Sequence, residues 1–232
     1  MNRPSSPLPD SATEAWVFDL DNTLYPAACD LFAQVNARMA GFIANQLGLD
    51  PVTARHLQKR YFHEHGTTLR GLMLEHGTDP TAYLAYVHDI DLSPVRPDPR
   101  LDRALARLPG RKVVFTNGSV RHAENVMARL GVSGHFDAVF DIVAADYIPK
   151  PAAATYRRMA TALAIAPDRA VMIDDIPQNL VPAAAMGMTT VWVRTDTEYA
   201  RIGEVGKHVH HIADDLAAWL EHAAAALAPP RP

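Results

Sequence analysis

The chain has 232 residues and a formal net charge of -4, with 48% hydrophobic and 21% charged residues. That length suits one large domain, or a core with a smaller insert, and buries a sizeable interior. The charge gives no sign of a general nucleic-acid surface, the lone Cys29 excludes an intrachain disulfide and fits a reducing, cytoplasmic compartment, and no apolar run is long enough to span a bilayer.

Residues 1–13 are rich in Pro and Ser and lack an apolar signal core, so they read as a flexible tail. Ala15-Trp16-Val17-Phe18 then reads as a buried strand running straight into Asp19-Leu20-Asp21-Asn22-Thr23-Leu24-Tyr25-Pro26. Open α/β sheets place their ligands where such a strand ends. Two carboxylates one residue apart repel unless a cation lies between them or one carries a proton. A divalent metal with a phosphoryl substrate would account for both; a strand-ending turn of Asp and Asn would also account for the composition.

From residue 27 to 96 only helical patterns occur. Leu31, Phe32, Val35, Met39, Phe42, Ile43 and Leu47 recur at helical spacing, and Gly48 is a plausible stop. Asp50-Pro51 opens a second helix, and further helical segments lie near 68–75 and 81–88. Prolines 94, 97 and 99 stiffen the return to the core. The expectation is a helical insert, 27–96, hinged at Tyr25-Pro26 and at this proline run, within a core of 14–26 and 97–227.

In that core, apolar runs at 112–115, 138–143, 170–173 and 189–193, with an edge strand at 208–212, alternate with helical patterns at 98–108, 120–130, 152–164, 177–186 and 214–226. This predicts an α/β fold, a Rossmann-like parallel sheet covered on both faces. Three of its strand ends carry chemistry. Thr116-Asn117-Gly118-Ser119 offers a hydroxyl and free amides to phosphate oxygens, with Gly118 allowing close approach; the same residues suit a helix cap. Tyr147-Ile148-Pro149-Lys150-Pro151 holds a lysine between prolines that would fix its direction, unless it is simply solvated. Asp174-Asp175, with Asn179 about a turn further on, offers the oxygen-rich site that Mg²⁺ takes, or caps the following helix.

Together and in this order, Asp19-Leu20-Asp21-Asn22-Thr23, Thr116-Asn117-Gly118, Lys150 and Asp174-Asp175 resemble the four motifs of the haloacid dehalogenase (HAD) superfamily of phosphohydrolases. The resemblance runs from Trp16 to Leu220, and the helical insert is similar to that superfamily's C1 cap. Asp21-Asn22-Thr23-Leu24-Tyr25-Pro26 and His65-Gly66-Thr67-Thr68-Leu69-Arg70-Gly71-Leu72 look like the pyrimidine 5′-nucleotidase subgroup. The resemblance implies that Asp19 attacks phosphorus to form an aspartyl-phosphate and that Asp21 is general acid, then general base. It implies Mg²⁺ on Asp19, the Asp21 carbonyl and Asp175, with Asp174 acting through a water. Thr116, the Asn117 amide and Lys150 would hold phosphoryl oxygens, with Asn179 supporting Lys150.

Tyr25, Thr67, Thr68 and Arg70 are the candidate substrate contacts from the insert, though Thr67-Thr68 also fits a helix start and Arg70 a solvated helix residue. His208, His210 and His211 read as a solvated edge, His63 and His65 as structural, and Cys29 as packing. The implied substrate is a small phosphorylated metabolite, pyrimidine nucleoside 5′-monophosphates first, with a sugar phosphate or phosphoglycolate as the alternative. No nucleic-acid polymer or membrane partner is implied, and monomer and homodimer stay open. A phosphomutase shares these motifs. The complete set argues against a non-catalytic binding protein, and Asp21 with the metal carboxylates argues against halide release.

Overall fold

The computed structural model describes residues 8–197, 200 and 205–227. Residues 1–7 of the expected tail and the Pro-rich end at 228–232 therefore lie outside the described residues. Six parallel strands form one sheet: β1 (Ala15–Phe18), β2 (Arg111–Phe115), β3 (Ala138–Phe140), β4 (Ala170–Asp174), β5 (Thr189–Val193) and β6 (His211–Ala213), in the order β3-β2-β1-β4-β5-β6. The chain builds outward from β1 to β3, then crosses back to add β4 on the other side of β1. That reversal opens a crevice at the carboxyl ends of β1 and β4, where such sheets bind ligands.

Alternation along the strands separates the two faces. Trp16, Phe18, Val114, Val171, Ile173 and Val191 pack under α5 (Pro99–Arg107), α6 (Val120–Leu130) and α9 (Leu216–Leu227). Val17, Val113, Phe115 and Met172 pack under α7 (Ala153–Ala162) and α8 (Pro177–Ala185). Cys29 packs against the first of these clusters. Two expected strands are shorter or displaced. β3 stops at Phe140 because the Asp141 carboxylate turns the chain, accepting from the amides of Val120 and Ala144. β6 starts at His211 because His210 Nδ1 takes the Thr190 amide, a side chain in place of a ladder bond, after a turn closed by Val209 N–H to the Gly206 carbonyl.

Between β1 and β2 lie α1 (Leu31–Leu47), α2 (Pro51–His65), α3 (Thr68–His76) and α4 (Pro80–Val87). Three helices, α2, α4 and α5, begin at an Asp-Pro pair. Each aspartate accepts from two first-turn amides, and the proline that follows has no amide left to satisfy. The α1–α4 helices share their own hydrophobic cluster, which includes Ile43, Tyr61, Leu72, Tyr83 and Val87 and reaches Ile142 from the loop after β3.

Gly71 lets α3 lie against α2: a methyl group there would overlap the Tyr61 ring. Gly71→Ala is expected to destabilise the protein by about 1–3 kcal/mol through overpacking, read as a lower thermal midpoint. An unchanged midpoint would show that the two helices separate without cost.

Candidate active site

Asp19 is the first residue past β1, and its amide donates to the Ile173 carbonyl (2.8 Å), binding the loop to β4. The chain then turns tightly through Asn22, at a left-handed φ of 58°, and the Leu24 amide returns to the Leu20 carbonyl. Asp and Asn tolerate that region because their short polar side chains bond locally. Thr116 follows β2 and Asp174 ends β4, so Asp19, Thr116 and Asp174 stand side by side on neighbouring strand ends.

Lys150 enters from the connection between β3 and α7. Asn117 fixes its backbone: the Asn117 Oδ1 accepts the Lys150 amide (2.8 Å), and Nδ2 donates to the Lys150 carbonyl (3.4 Å). The Lys150 Nζ donates to Asp19 Oδ1 (2.7 Å) and Asp174 Oδ2 (2.6 Å), fully within the protein. Burial works against its charge, but Asp174 and Asp19 together outweigh it and raise the ammonium above the ordinary lysine value. The Asn179 side chain makes no hydrogen bond to Lys150. Its amide donates to both oxygens of Asp174 (3.0 and 3.2 Å), supporting the lysine at one remove.

The paired carboxylates Asp174 and Asp175 have different surroundings. Asp174 has each oxygen occupied, by Lys150, Asn179 and the Ile176 amide. Asp175 receives only a long bond from Thr23 Oγ1 (3.4 Å) on Oδ1, while its Oδ2 is buried with no hydrogen-bond partner. Burial first, then the charges of Asp174 and Asp19, hold the Asp175 carboxyl well above the usual range. Asp19 is likewise pushed up to about 7, by burial against the pull of Lys150, with Asp174 and Asp21 adding to it. Asp19, Asp174 and Asp175 each offer a carboxylate oxygen within 4.8 Å of the others. An orphaned buried anionic oxygen among hard oxygen donors fits a divalent cation such as Mg²⁺, held by Asp19 and Asp175. Asp174, already saturated, would contribute through Lys150 or a bridging water.

Asp21 stands apart from this cluster. The Tyr25 hydroxyl (2.7 Å) and His122 Nε2 (2.8 Å) both bond its Oδ1. Burial opposes its charge, but the charge and hydrogen bond of His122, with the Tyr25 bond, bring it down to about 2. His122 lies on the first turn of α6, its amide bonded to the Ser119 hydroxyl that caps that helix. The His88 ring, just past α4, stacks on the His122 ring at 4.4 Å with planes 10° apart.

Above the carboxylates, between sheet and helices, is a cavity of about 370 Å³. Asp19, Asp21, Thr116, Asn117, Gly118, Lys150, Asp175 and Asn179 line its floor. The Thr116 hydroxyl accepts the Gly118 amide (2.9 Å), which shapes the loop at the floor. The opposite wall carries Phe32, Val35, Met39, Phe62 and Tyr83, together with Asn36, Gln58, Lys59 and His63.

The expected contacts from the insert fall differently. Thr67 and Thr68 line the cavity, but Thr67 caps α3 and the Thr68 hydroxyl donates to the Gln58 carbonyl (3.2 Å). Arg70 is not among the lining residues. It lies one turn into α3 on the side facing the loop after β3, and its Nη1 donates to the Tyr147 carbonyl (3.4 Å). Tyr25 is buried beneath Asp21 and is also absent from the lining.

His122, His88, Asn36 and Gln58 were missed by reading the sequence. His122 carried a usable signal, because a polar residue three positions after a capping serine at a motif strand end faces that strand end. His63, expected to be structural, also lines the cavity. His88, Asn36 and Gln58 reach the site only through packing of the helices, and no local pattern marks them.

The model of the haloacid dehalogenase-like hydrolases matches residues 13–187. Phosphate metabolism protein 8 of Saccharomyces cerevisiae is 27% identical over 201 residues, covering 80% of this chain; the chain spans 63% of that protein's length. Phosphoglycolate phosphatase of Neisseria meningitidis is 28% identical over 196 residues, covering 78% of this chain and 80% of that protein. Among solved structures, a HAD phosphatase from Thermococcus onnurineus shares the fold at a TM-score of 0.57 and 18% identity, over 88% of this chain and 94% of that one. With the family model matched over well more than half its length, the chain belongs to the haloacid dehalogenase-like hydrolases.

Proposed function

We propose that this hydrolase is a Mg²⁺-dependent phosphomonoester hydrolase that works through an aspartyl-phosphate on Asp19. The observation that carries the reading is Lys150, held between Asp19 and Asp174 beside the unpartnered Asp175 oxygen on the floor of the cavity. An Asp19 oxygen attacks phosphorus, and the bond to the ester oxygen breaks. That oxygen leaves as an alcohol with a proton from Asp21, which is ionised in the free protein and must first take that proton up from solvent or from the bound monoester. A water then attacks the same phosphorus and gives its proton to Asp21 while the bond to Asp19 breaks. The balance is ester plus water to alcohol plus phosphate. Lys150 and the Thr116–Gly118 loop stabilise charge on the phosphoryl oxygens, and a bound Mg²⁺ would neutralise the anions there. The names of the yeast and Neisseria relatives support phosphate-ester chemistry.

The core floor meets the phosphoryl group that every monoester shares, so the choice of leaving group falls to the helical insert, residues 27–96. Its wall combines rings and aliphatic side chains with two amides: Gln58 Nε2 donates to Asn36 Oδ1 (2.8 Å). Side-chain amides both donate and accept, which suits the polar edge of uracil or cytosine inside an otherwise apolar slot. Pyrimidine nucleoside 5′-monophosphates are therefore the proposed preferred substrates. The test is a phosphate-release screen over nucleotides, sugar phosphates and phosphoglycolate with Mg²⁺ and no acceptor sugar, which also separates a hydrolase from a mutase.

Gln58→Leu is expected to lower kcat/KM for uridine and cytidine monophosphates by about 10- to 100-fold, because a site built on such bonds loses its partner. A small generic phosphate ester should change far less. Equal losses on all substrates would mean that Gln58 supports the fold of the insert and does not choose the substrate.

A further inference from the structure

We propose that His122 is a positioning residue for Asp21: with Tyr25 it holds one carboxylate oxygen, Oδ1, so that the other, Oδ2, is presented to the leaving-group oxygen of the ester. The inference rests on the hydrolase reading, in which Asp21 is the acid and then the base.

Both donors converge on the same atom, Tyr25 at 2.7 Å and His122 at 2.8 Å, although they come from separate parts of the chain. A carboxylate turns with little resistance about its last torsion, and Asp21 sits in a loop beside a left-handed residue. Two bonds to one oxygen remove that freedom and break the equivalence of the two oxygens. The donors are themselves held. Tyr25 and His122 are both buried, and one face of His122 is covered by the near-parallel ring of His88, which is tied through Nδ1 to the Ser119 hydroxyl (3.0 Å). Because Asp21 accepts at Oδ1, Nε2 is the nitrogen that carries hydrogen. His88 follows the last helix of the insert, so the support of Asp21 is built partly from the element that covers the cavity.

Positioning of an acid has a signature that general loosening does not. An alkyl alcohol is a poor leaving group and needs a well-placed proton; nitrophenolate leaves without one. kcat/KM reports the steps up to release of the alcohol. For His122→Ala, kcat/KM on an alkyl monoester such as uridine monophosphate is expected to fall about 30- to 100-fold, within the range that general acid catalysis contributes. On p-nitrophenyl phosphate the loss should be smaller by a factor of about ten or more, since little acid catalysis is there to lose. Turnover of that ester should still slow at the second step, where Asp21 is the base. A burst of nitrophenolate, absent in the wild type, should then appear.

His122→Gln carries an amide nitrogen to nearly the same place and should recover most of the loss. Tyr25→Phe keeps the packing and removes only one donor, so it should reproduce the leaving-group pattern even where His122→Ala folds poorly. Equal losses on both esters, in His122→Ala and in Tyr25→Phe, would overturn the positioning role and leave the hydrolase reading standing. A wild-type protein that hydrolyses neither ester with Mg²⁺ would overturn both.

Discussion

Asp19→Asn is expected to fold normally and to lose phosphate release from every monoester by about a thousandfold or more, the scale on which removal of a nucleophile acts. The change is nearly isosteric. Its amide oxygen can still accept from Lys150, and Lys150 keeps Asp174, so no buried ammonium is stranded. The variant also loses an anion that the fold holds reluctantly, its pKa pushed up to about 7 mainly by burial. The thermal midpoint without metal should therefore match or exceed that of the wild type. What disappears is the carboxylate oxygen that would bond to phosphorus. Acid-quenched wild-type enzyme incubated with labelled monoester should carry phosphate that hydroxylamine removes, as an acyl phosphate does, and the variant should carry none. Wild-type turnover in a folded Asp19→Asn protein would remove Asp19 from the role of nucleophile.

The contrast between Asp19 and Asp21 also marks how far the sequence could be read. Both were visible as carboxylates at a strand end, because an apolar run followed by polar residues is a local pattern and its end is where the sheet presents chemistry. The same holds for Thr116, Asp174 and Asp175, and for the helices of the insert, where the Asp-Pro starts of α2 and α4 and the glycine stops of α1, α2 and α3 are local signals. Lys150 was legible as fixed by prolines, but its clamp is the Asn117 side chain, a contact 33 residues away in sequence. The Asn117 side chain therefore holds the lysine backbone, a role separate from the phosphate contact expected of its backbone amide. Arg70 was placed by motif resemblance and faces the Tyr147 carbonyl, because which side of α3 meets the cavity depends on how α3 lies against α2. His88 and His122 are 34 positions apart in number and 4.4 Å apart in space. Partnership between side chains on different elements is set by packing, which single-sequence periodicity does not encode.

Removing the metal should lower both stability and activity, whereas removing the buried Asp175 oxygen that lacks a partner should have effects that differ in sign between the two. Excess EDTA is expected to abolish activity and Mg²⁺ to restore it. At a hundredfold excess over Kd, Mg²⁺ should stabilise the fold by about 2.7 kcal/mol, a rise of about 5–10 °C in a chain of this size. The gain should depend on pH in a defined direction. Without metal, the folded protein holds protons on Asp19, at about 7, and on Asp175, also raised, that the unfolded chain releases near 3.8. Stability from groups raised in this way is complete below the unfolded value and is lost as pH rises through the folded value. The metal-free midpoint should thus fall from about pH 4 to about pH 7 through Asp19, with Asp175 acting in the same direction, and the gain from Mg²⁺ should grow over the same interval. Asp175→Asn removes a carboxyl whose ionisation the fold opposes, so at neutral pH its metal-free midpoint should rise while both the Mg²⁺ gain and the activity are lost. Asp174→Ala is the opposite case. It strips a partner from buried Lys150 and from Asn179, and should cost about 3–5 kcal/mol, or roughly 10 °C, with or without metal. Calorimetry across pH on the three proteins decides the matter. A wild-type midpoint indifferent to Mg²⁺, with full activity in EDTA, would remove the cation from this site and leave Lys150 as the sole counter-charge of the cluster.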